Sequence, residues 1–420
     1  MLVGARSSPL SQAQVAEVAE ALKNTHPHIQ LKPIYLESFG DKDRKTSLRT
    51  LAKTDFFTRE IDQLLLSGGC RIAIHSAKDL PESIPDGLMV VALTKGLDTS
   101  DVLVMKPGMT LAQLPKNATI ATSSERREEA VGGLRGDLRF IDLRGTIGER
   151  LLQLERGEAD GIVVAEAALL RLGLSHLNRI TLPGSTTPYQ GQLAILARES
   201  DAEMFEMFDS LDCRPRVLFT GLEAPRSFLE KRFVHFPLIQ IVPRPRPVLD
   251  ISPFTHVVFG SKNGVRIALE YFPELIQLQG IAVGKATGQE MSLHGFNAIH
   301  IAEREQTEGI VELIDTLDLR KAHLLWPHSA SSRPLLKEAL IARNVQFHEW
   351  IAYDTRPFQS APLPDLFPFS EIAFTSTSTV EAFANFFGDP PSHLKLNGIG
   401  PITDLSIAKY FCNSHNKLTT

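Results

Sequence analysis

Short apolar strands that run into polar turns and then into helices recur along this 420-residue chain. That alternation admits little besides layered α/β folds. Met1–Ala5 reads as a strand, and Ser11–Lys23 as a helix with Val15, Val18, Ala19 and Leu22 on one stripe. Phe57–Leu66 reads as a helix and Arg71–His75 as a buried strand. Ala118–Ala121 is a strand entering Thr122-Ser123-Ser124, an N-cap signal for a helix that begins near Arg126. The rhythm continues with helix Ile147–Arg156, strand Gly161–Val164, helix Ala165–Leu172 closed by Gly173, and strand Gln192–Ala197.

Around residues 212–216 the rhythm resets. Asp212-Cys213-Arg214-Pro215 reads as a linker, and Arg216–Thr220 opens a new strand. Two proline-rich stretches, Val242–Pro247 and Arg356–Pro368, suit extended crossings between lobes, because proline neither donates to a ladder nor continues a helix. One pattern also repeats about 115 residues apart. Val257–Phe259 leads into Gly260-Ser261-Lys262-Asn263-Gly264 and a helix, as Ile372–Phe374 leads into Thr375-Ser376-Thr377-Ser378 and a helix. Ile281–Thr287 is likewise echoed by Gly398–Thr403. The expected organisation is therefore α/β throughout, in two modules. The first spans 1–212, with lobes about 1–94 plus 190–212 and 98–186. The second spans 216–420, with lobes about 216–246 plus 357–420 and 250–351.

Charge and composition exclude several classes of function. The net charge of −5 offers no basic field for nucleic acid. Apolar runs such as Leu88–Leu93 fall far short of the roughly 20 residues of a membrane span, and Met1–Arg6 lacks the pattern of a signal peptide. Cys70, Cys213 and Cys412 are too widely spaced for a metal motif or a disulfide framework, so the expected compartment is the cytoplasm. No glycine-rich nucleotide loop, metal-spaced His/Cys set or nucleophile elbow is present, and nothing calls for a nucleotide, pyridoxal phosphate or metal.

The polar turns are where chemistry concentrates. Arg6 and Ser8 follow the first strand, Arg126 and Arg127 follow Thr122-Ser123-Ser124, and Arg144 and Arg150 flank Gly145 and Gly148. Guanidinium forks beside hydroxyls and helix starts fit carboxylates or phosphates. A solvated surface paired with Glu125, Glu128, Glu129 and Glu149 is the competing interpretation. In His75-Ser76-Ala77-Lys78-Asp79-Leu80-Pro81 a buried strand ends in a turn presenting Lys78 and Asp79, suited to stabilising a cationic intermediate or, more plainly, to being a polar turn. Ser261, Thr287, Ser376 and Thr403 are either plain N-caps or neutral donors lining one cleft. Trp326-Pro327-His328-Ser329-Ala330-Ser331-Ser332-Arg333 is a similar strand-to-helix turn, and Tyr353 ends an apolar strand before a crossing.

These motifs resemble two known families. Residues 1–212 are similar to hydroxymethylbilane synthase (porphobilinogen deaminase). The likeness rests on Arg6-Ser7-Ser8-Pro9-Leu10 with Gln14, His75–Pro81, Thr122–Arg127, Leu143-Arg144-Gly145 through Arg150, and Gln190-Gly191. Residues 216–420 resemble uroporphyrinogen-III synthase through Phe259–Val265, Val283–Thr287, Tyr353, Phe374-Thr375-Ser376 and Ile399–Thr403. The resemblance implies two periplasmic-binding-protein-like lobes, then a two-lobed synthase-like module. It implies a bifunctional enzyme of tetrapyrrole (haem) biosynthesis, a transferase and a lyase, acting on porphobilinogen and hydroxymethylbilane with no nucleic acid or membrane partner. No oligomeric state is implied. Asp79, Lys78 and Tyr353 are the implied catalytic residues. Arg6, Ser8, Ser123, Arg126, Arg127, Arg144, Arg150 and Gln190 are the implied substrate-binding residues of the first module. Ser261, Thr287, Ser376 and Thr403 are those of the second.

The sequence departs from the first family at identifiable places. That family continues past Gln-Gly into a third domain whose Leu-Glu-Gly-Gly-Cys loop carries a covalent dipyrromethane. Here Arg216 opens the next module 25 residues after Gly191, and the attachment loop is expected to be absent. Ala52-Lys53-Thr54-Asp55 stands where the family has Gly-Gly-Lys-Gly, and Asp98-Thr99-Ser100-Asp101 where it has Asp-Pro-Arg-Asp. Cys213, in Leu211-Asp212-Cys213-Arg214, lacks the paired glycines, so an ordinary linker thiol is expected and a primer-bearing one is the alternative. For the module as a whole, the alternative is a non-catalytic oligopyrrole-binding module fused to an active synthase.

Overall fold

The computed structural model describes residues 1–43, 54–224, 230–359 and 361–412. Ala52 and Lys53, and the side chain of Cys412, lie outside the described residues. The chain divides into two compact units, one of Met1–Pro215 with Arg226–Arg232, the other of Arg216–Pro225 with Phe233–Thr420. Both mix α-helices with β-sheets, two sheets to a unit.

In the first unit, one five-stranded sheet runs in the order Lys32–Leu36, Leu2–Arg6, Ile72–Ser76, Leu193–Arg198, Leu88–Leu93. Its first three strands are parallel, and Leu193–Arg198 is antiparallel to both neighbours. Side chains alternate across this sheet as a pleated strand requires. Ile72, Ile74 and Ile195 join Val15, Val18 and Leu22 of helix Pro9–Lys23 on one face. Ala73, Ala194 and Leu196 join Ile61 and Leu65 of helix Arg59–Leu66 on the other. The second sheet repeats the strand pattern in the order Arg139–Ile141, Thr119–Ala121, Gly161–Ala165, Asp101–Met105, Arg179–Thr181. The chain crosses from the first lobe after Leu93 and returns at Gln190-Gly191-Gln192 to insert Leu193–Arg198 into the first sheet's interior. Gly191 has φ +84, and a Cβ there would sit 2.1 Å from the Asp98 carbonyl oxygen, so the two crossings approach too closely for any side chain.

In the second unit, a four-stranded sheet has the order Arg232–His235, Arg216–Phe219, Glu371–Phe374, Lys395–Gly398. A six-stranded sheet has the order Ile239–Pro243, Gln346–Pro357, His323–Ser329, His256–Phe259, Gln279–Ala282, Ile299–Ile301. The repeated turns take matching conformations. Ser261 and Ser376 are extended N-caps of helices Lys262–Tyr271 and Thr377–Phe387, each accepting a backbone N–H with its hydroxyl. Gly284 and Gly400 are extended N-caps of Lys285–Leu293 and Pro401–Ile407. One expectation is corrected here. Only the first residues of the two proline-rich stretches are held in a sheet, because Ile239–Pro243 pairs antiparallel with the end of Gln346–Pro357, Ile239 opposite Pro357 and Pro243 opposite Tyr353, while 244–250 runs outside any strand or helix. Ile239–Pro243 therefore belongs to the six-stranded sheet, not to the lobe drawn as 216–246. Prolines at the ends of an edge pair cost that ladder little.

Candidate functional site

The strand ends of the first unit meet around a cavity of about 460 Å³, within the range of small-molecule sites. Its wall takes Arg6, Ser8, Lys78 and Asp79 from one lobe and Arg127, Arg144 and Arg150 from the other. Ser8 caps helix Pro9–Lys23, its Oγ accepting the Ser11 N–H at 3.2 Å. Thr146 and Glu149 form a capping box at the start of helix Ile147–Glu155. Gly145 has φ +92 and permits the turn that brings Arg144 to the wall.

The cations differ in their partners. Arg6 is paired with Asp41 and lies over the Phe57 ring, 4.6 Å from its centroid. Arg127 donates to Asp101 Oδ1 from Nε at 3.0 Å and from Nη2 at 2.6 Å. Arg150 Nε donates to the Gly145 carbonyl at 2.8 Å, Arg144 donates to the Asp43 carbonyl, and neither forms an ion pair with a carboxylate among the described residues. Burial and the neighbouring Arg127 and Arg144 push Arg150 down to about 10. Burial and the repulsion of Arg127 push Lys78 down to about 8, despite the attraction of Asp79 and Asp101. Such a site is short of negative charge and favours an anionic occupant.

Three expected residues do not line this cavity. Ser123 Oγ donates to the Leu143 carbonyl at 2.8 Å and accepts the Leu143 N–H at 2.7 Å, fixing the turn that carries Arg144. Arg126 turns to the Ser185 carbonyl at 2.7 Å and to Asp101. Gln190 is buried, donating to the Thr99 carbonyl at 2.8 Å and to Asp101 at 3.0 Å while accepting from Lys78 Nζ at 3.3 Å. The polar side chains of these three residues are used to hold backbone, Asp101 and the crossover. Conversely, Asp41, Phe57 and Thr58 line the cavity and were not singled out. They follow no motif pattern that periodicity could flag, and the tethering of Arg126 and Arg127 by Asp101, a residue of the Asp98-Thr99-Ser100-Asp101 segment, is legible only once the sheets are paired.

In the second unit, Tyr353 Oη and Ser261 Oγ are 2.8 Å apart and share a small cavity of about 100 Å³ with His328, Ser329 and Arg333. Burial raises the Tyr353 phenol above its ordinary range. Thr287, Ser376 and Thr403 are not part of this wall. Thr287 and Thr403 are buried in the first turns of their helices, and Ser376 is committed to its capping box with Thr379.

Comparison with known proteins bears on both units. Residues 1–206 match the family "Porphobilinogen deaminase, dipyromethane cofactor binding domain", and residues 231–413 match "Uroporphyrinogen-III synthase HemD". The porphobilinogen deaminase of Roseiflexus sp. (strain RS-1) is 35% identical over 234 residues, 55% of this chain and 77% of that protein. A probable porphobilinogen deaminase of Chlamydia pneumoniae is 38% identical over 211 residues, 50% of this chain and 89% of that protein. Among solved structures, a uroporphyrinogen-III synthetase from Helicobacter pylori is 19% identical, covering 46% of this chain and 88% of that one with a TM-score of 0.37. No helix among the described residues is long and apolar enough to cross a membrane, and no cluster of three or more His, Cys, Asp or Glu among them is arranged to hold a metal ion. The chain belongs to the porphobilinogen deaminase family through its first unit and carries a uroporphyrinogen-III synthase domain in its second, a transferase and a lyase joined as a bifunctional enzyme of tetrapyrrole biosynthesis.

Proposed function

We propose that the first cavity polymerises porphobilinogen to hydroxymethylbilane and that Tyr353 serves the closure of that bilane to uroporphyrinogen III. The observation that carries the reading is the Lys78-Asp79 turn set in the same wall as Arg144 and Arg150, two guanidinium groups without a carboxylate partner among the described residues. The acetate and propionate groups of porphobilinogen supply the missing negative charge, as bidentate guanidinium recognition favours. Arg6 joins them when a substrate carboxylate displaces Asp41.

With the ring clamped, the aminomethyl group, carried as its ammonium, leaves as ammonia, taking the electrons of its C–N bond. The pyrrole nitrogen donates its lone pair, and the resulting azafulvenium cation is stabilised by the Asp79 carboxylate. The free α-carbon of the next pyrrole attacks the methylene, forming a C–C bond, and loss of the α-proton restores the aromatic ring. Asp79 is the catalytic group of this reading. Lys78, beside it, adds to the field that holds the anionic side chains.

In the second unit, Tyr353 and Ser261 offer a hydrogen-bonded pair to the hydroxymethyl end of the bilane. The phenol protonates the departing hydroxyl, which leaves as water; the terminal pyrrole forms the new C–C bond to the freed methylene and is inverted as the ring closes, and the proton shed on rearomatisation returns to the phenolate, with positioning supplying the rest of the rate. We read the lobes of the first unit as periplasmic-binding-protein-like, supported by the one strand pattern that both sheets share, and the second unit as the two-lobed synthase arrangement. The cytoplasm is the compartment this reading implies.

The dipyrromethane named in the family description fits the arginines of the cavity, since its rings bear the same acidic groups. The thiols among the described residues do not fit. Cys70 is 2% exposed within the core, and Cys213 lies outside the cavity wall, its Sγ accepting from Gln192 Nε2 at 3.4 Å. Burial and Asp212 raise the Cys213 thiol, which disfavours the nucleophilic thiolate. We therefore propose that chain assembly on this protein starts from an oligopyrrole held by charge.

Porphobilinogen consumption by wild type and Asp79→Asn tests the reading. The variant is expected to lose at least about a hundredfold in turnover with its circular dichroism unchanged. Near wild-type turnover by Asp79→Asn contradicts it.

A further inference from the structure

The turn carrying Lys78 and Asp79 hangs from the end of strand Ile72–Ser76, so the placement of that strand end decides where the carboxylate sits. Period-two alternation sends His75 to the face covered by helix Arg59–Leu66 and Ser76 to the face covered by helix Pro9–Lys23. Each meets a buried polar side chain there. Gln14 Nε2 donates to Ser76 Oγ at 2.8 Å. On the opposite face, His75 Nε2 lies 3.2 Å from Asp62 Oδ1, and both side chains are 3% exposed.

The second contact is unusual in its surroundings. Asp62 is buried on the helix that gives Ile61 and Leu65 to the apolar core, within electrostatic reach of the Cys70 thiol, and neither of its carboxylate oxygens has a well-formed hydrogen bond among the described residues. The nearby Arg198 guanidinium is directed at the Leu65 and Cys70 carbonyls, at 2.7 and 2.9 Å, and the other titratable group at this layer is the Cys70 thiol. A carboxylate buried in apolar surroundings without a partner is costly enough that it acquires a proton or a cation. Among the described residues, the imidazole is the group within ion-pair distance that can supply either. His75 also lines the catalytic cavity, three residues before Lys78 and four before Asp79.

We propose that Asp62 is a positioning residue for deamination. Through its 3.2 Å contact with His75 it anchors the strand end from the helix Arg59–Leu66 side, as Gln14 anchors it through Ser76 from the other. The proposal rests on the assignment of the deaminase reaction to this cavity. Asp62 touches no substrate, so its loss moves Asp79 relative to the reacting methylene and leaves the arginine clamp in place. The signature of that role is a fall in kcat without a matching change in KM.

The test compares wild type, Asp62→Asn and Asp62→Glu by porphobilinogen kinetics and by the imidazole ¹⁵N shifts of His75 in the full chain at pH 7. Asp62→Asn is expected to lose about tenfold to a hundredfold in kcat with KM within about twofold, the scale of a displaced catalytic group. Asp62→Glu is expected to recover part of that loss. The His75 ring nitrogen shifts are expected to move between wild type and Asp62→Asn, as loss of a direct contact requires. Identical His75 shifts in the two proteins, or a variant that melts earlier with kcat unchanged, overturn the proposal. If wild type consumes no porphobilinogen, it is the assignment of the cavity that fails, while the nitrogen shifts still decide whether Asp62 and His75 are in contact.

Discussion

Lys78 shows how one side chain reports on the occupant of a site. Its ammonium is held down to about 8 by burial and by Arg127, and an anionic ligand would reverse part of that effect. Because the folded value lies below the ordinary lysine value, the unfavourable charge is carried in full below pH 8 and is shed as pH rises through 8 towards 10.5. Binding a polycarboxylate above pH 8 therefore requires Lys78 to take a proton back. KM for porphobilinogen is expected to rise between pH 8 and 9, by up to about tenfold. A flat KM over pH 7–9 contradicts the placement of Lys78 against the substrate's carboxylates. At this scale the sequence motifs identified Lys78, Asp79, Arg127, Arg144 and Arg150, all of which line the cavity. They also pointed to Ser123, Arg126 and Gln190, whose polar groups hold the turn and the crossover. A motif lists residues that belong together, and only the direction of each side chain separates those facing the ligand from those supporting them.

At the scale of elements, strands and helices of the first unit were legible because their periodicity is local. The helix read as Ser11–Lys23 is Pro9–Lys23, and the strand read as Gln192–Ala197 is Leu193–Arg198. Pairing was less legible, since no local signal shows that Ile239–Pro243 finds its partner more than a hundred residues away in Gln346–Pro357. That pairing matters for the second site. It places Tyr353 opposite Pro243 within a sheet, and its phenol meets Ser261, the hydroxyl that also caps helix Lys262–Tyr271. A phenol held this rigidly is suited to deliver a proton to one oxygen. Tyr353→Phe is accordingly expected to slow ring closure of hydroxymethylbilane about tenfold to a hundredfold and to raise the share of the spontaneously formed type I isomer. Chromatography of the isomers checks this, and an unchanged ratio contradicts the role. Of the four hydroxyls read as one cleft, Ser261 shares the small cavity with Tyr353. Ser376 and Thr403 serve helix starts in the lobe of the four-stranded sheet, and Thr287 is buried at its own helix start.

For the whole molecule, the fusion joins two consecutive reactions whose shared intermediate cyclises wrongly when free in solution. Tethering two sites raises the concentration one sees of the other's product without any new contact. The short interval between Gln190-Gly191 and Arg216 leaves the first unit with Cys70 in the core and Cys213 outside the cavity wall. Intact-mass spectrometry of the purified chain is expected to return the sequence mass alone. A dipyrromethane adduct that disappears in Cys213→Ser contradicts the charge-held primer. The most direct test of the account is the isomer formed when the purified chain is given porphobilinogen and a catalytic amount of hydroxymethylbilane. It predicts steady accumulation of uroporphyrinogen III, far exceeding the bilane supplied. Uroporphyrinogen III limited to the bilane added, with porphobilinogen untouched, would show the first cavity to be an oligopyrrole-binding site without turnover and would contradict it.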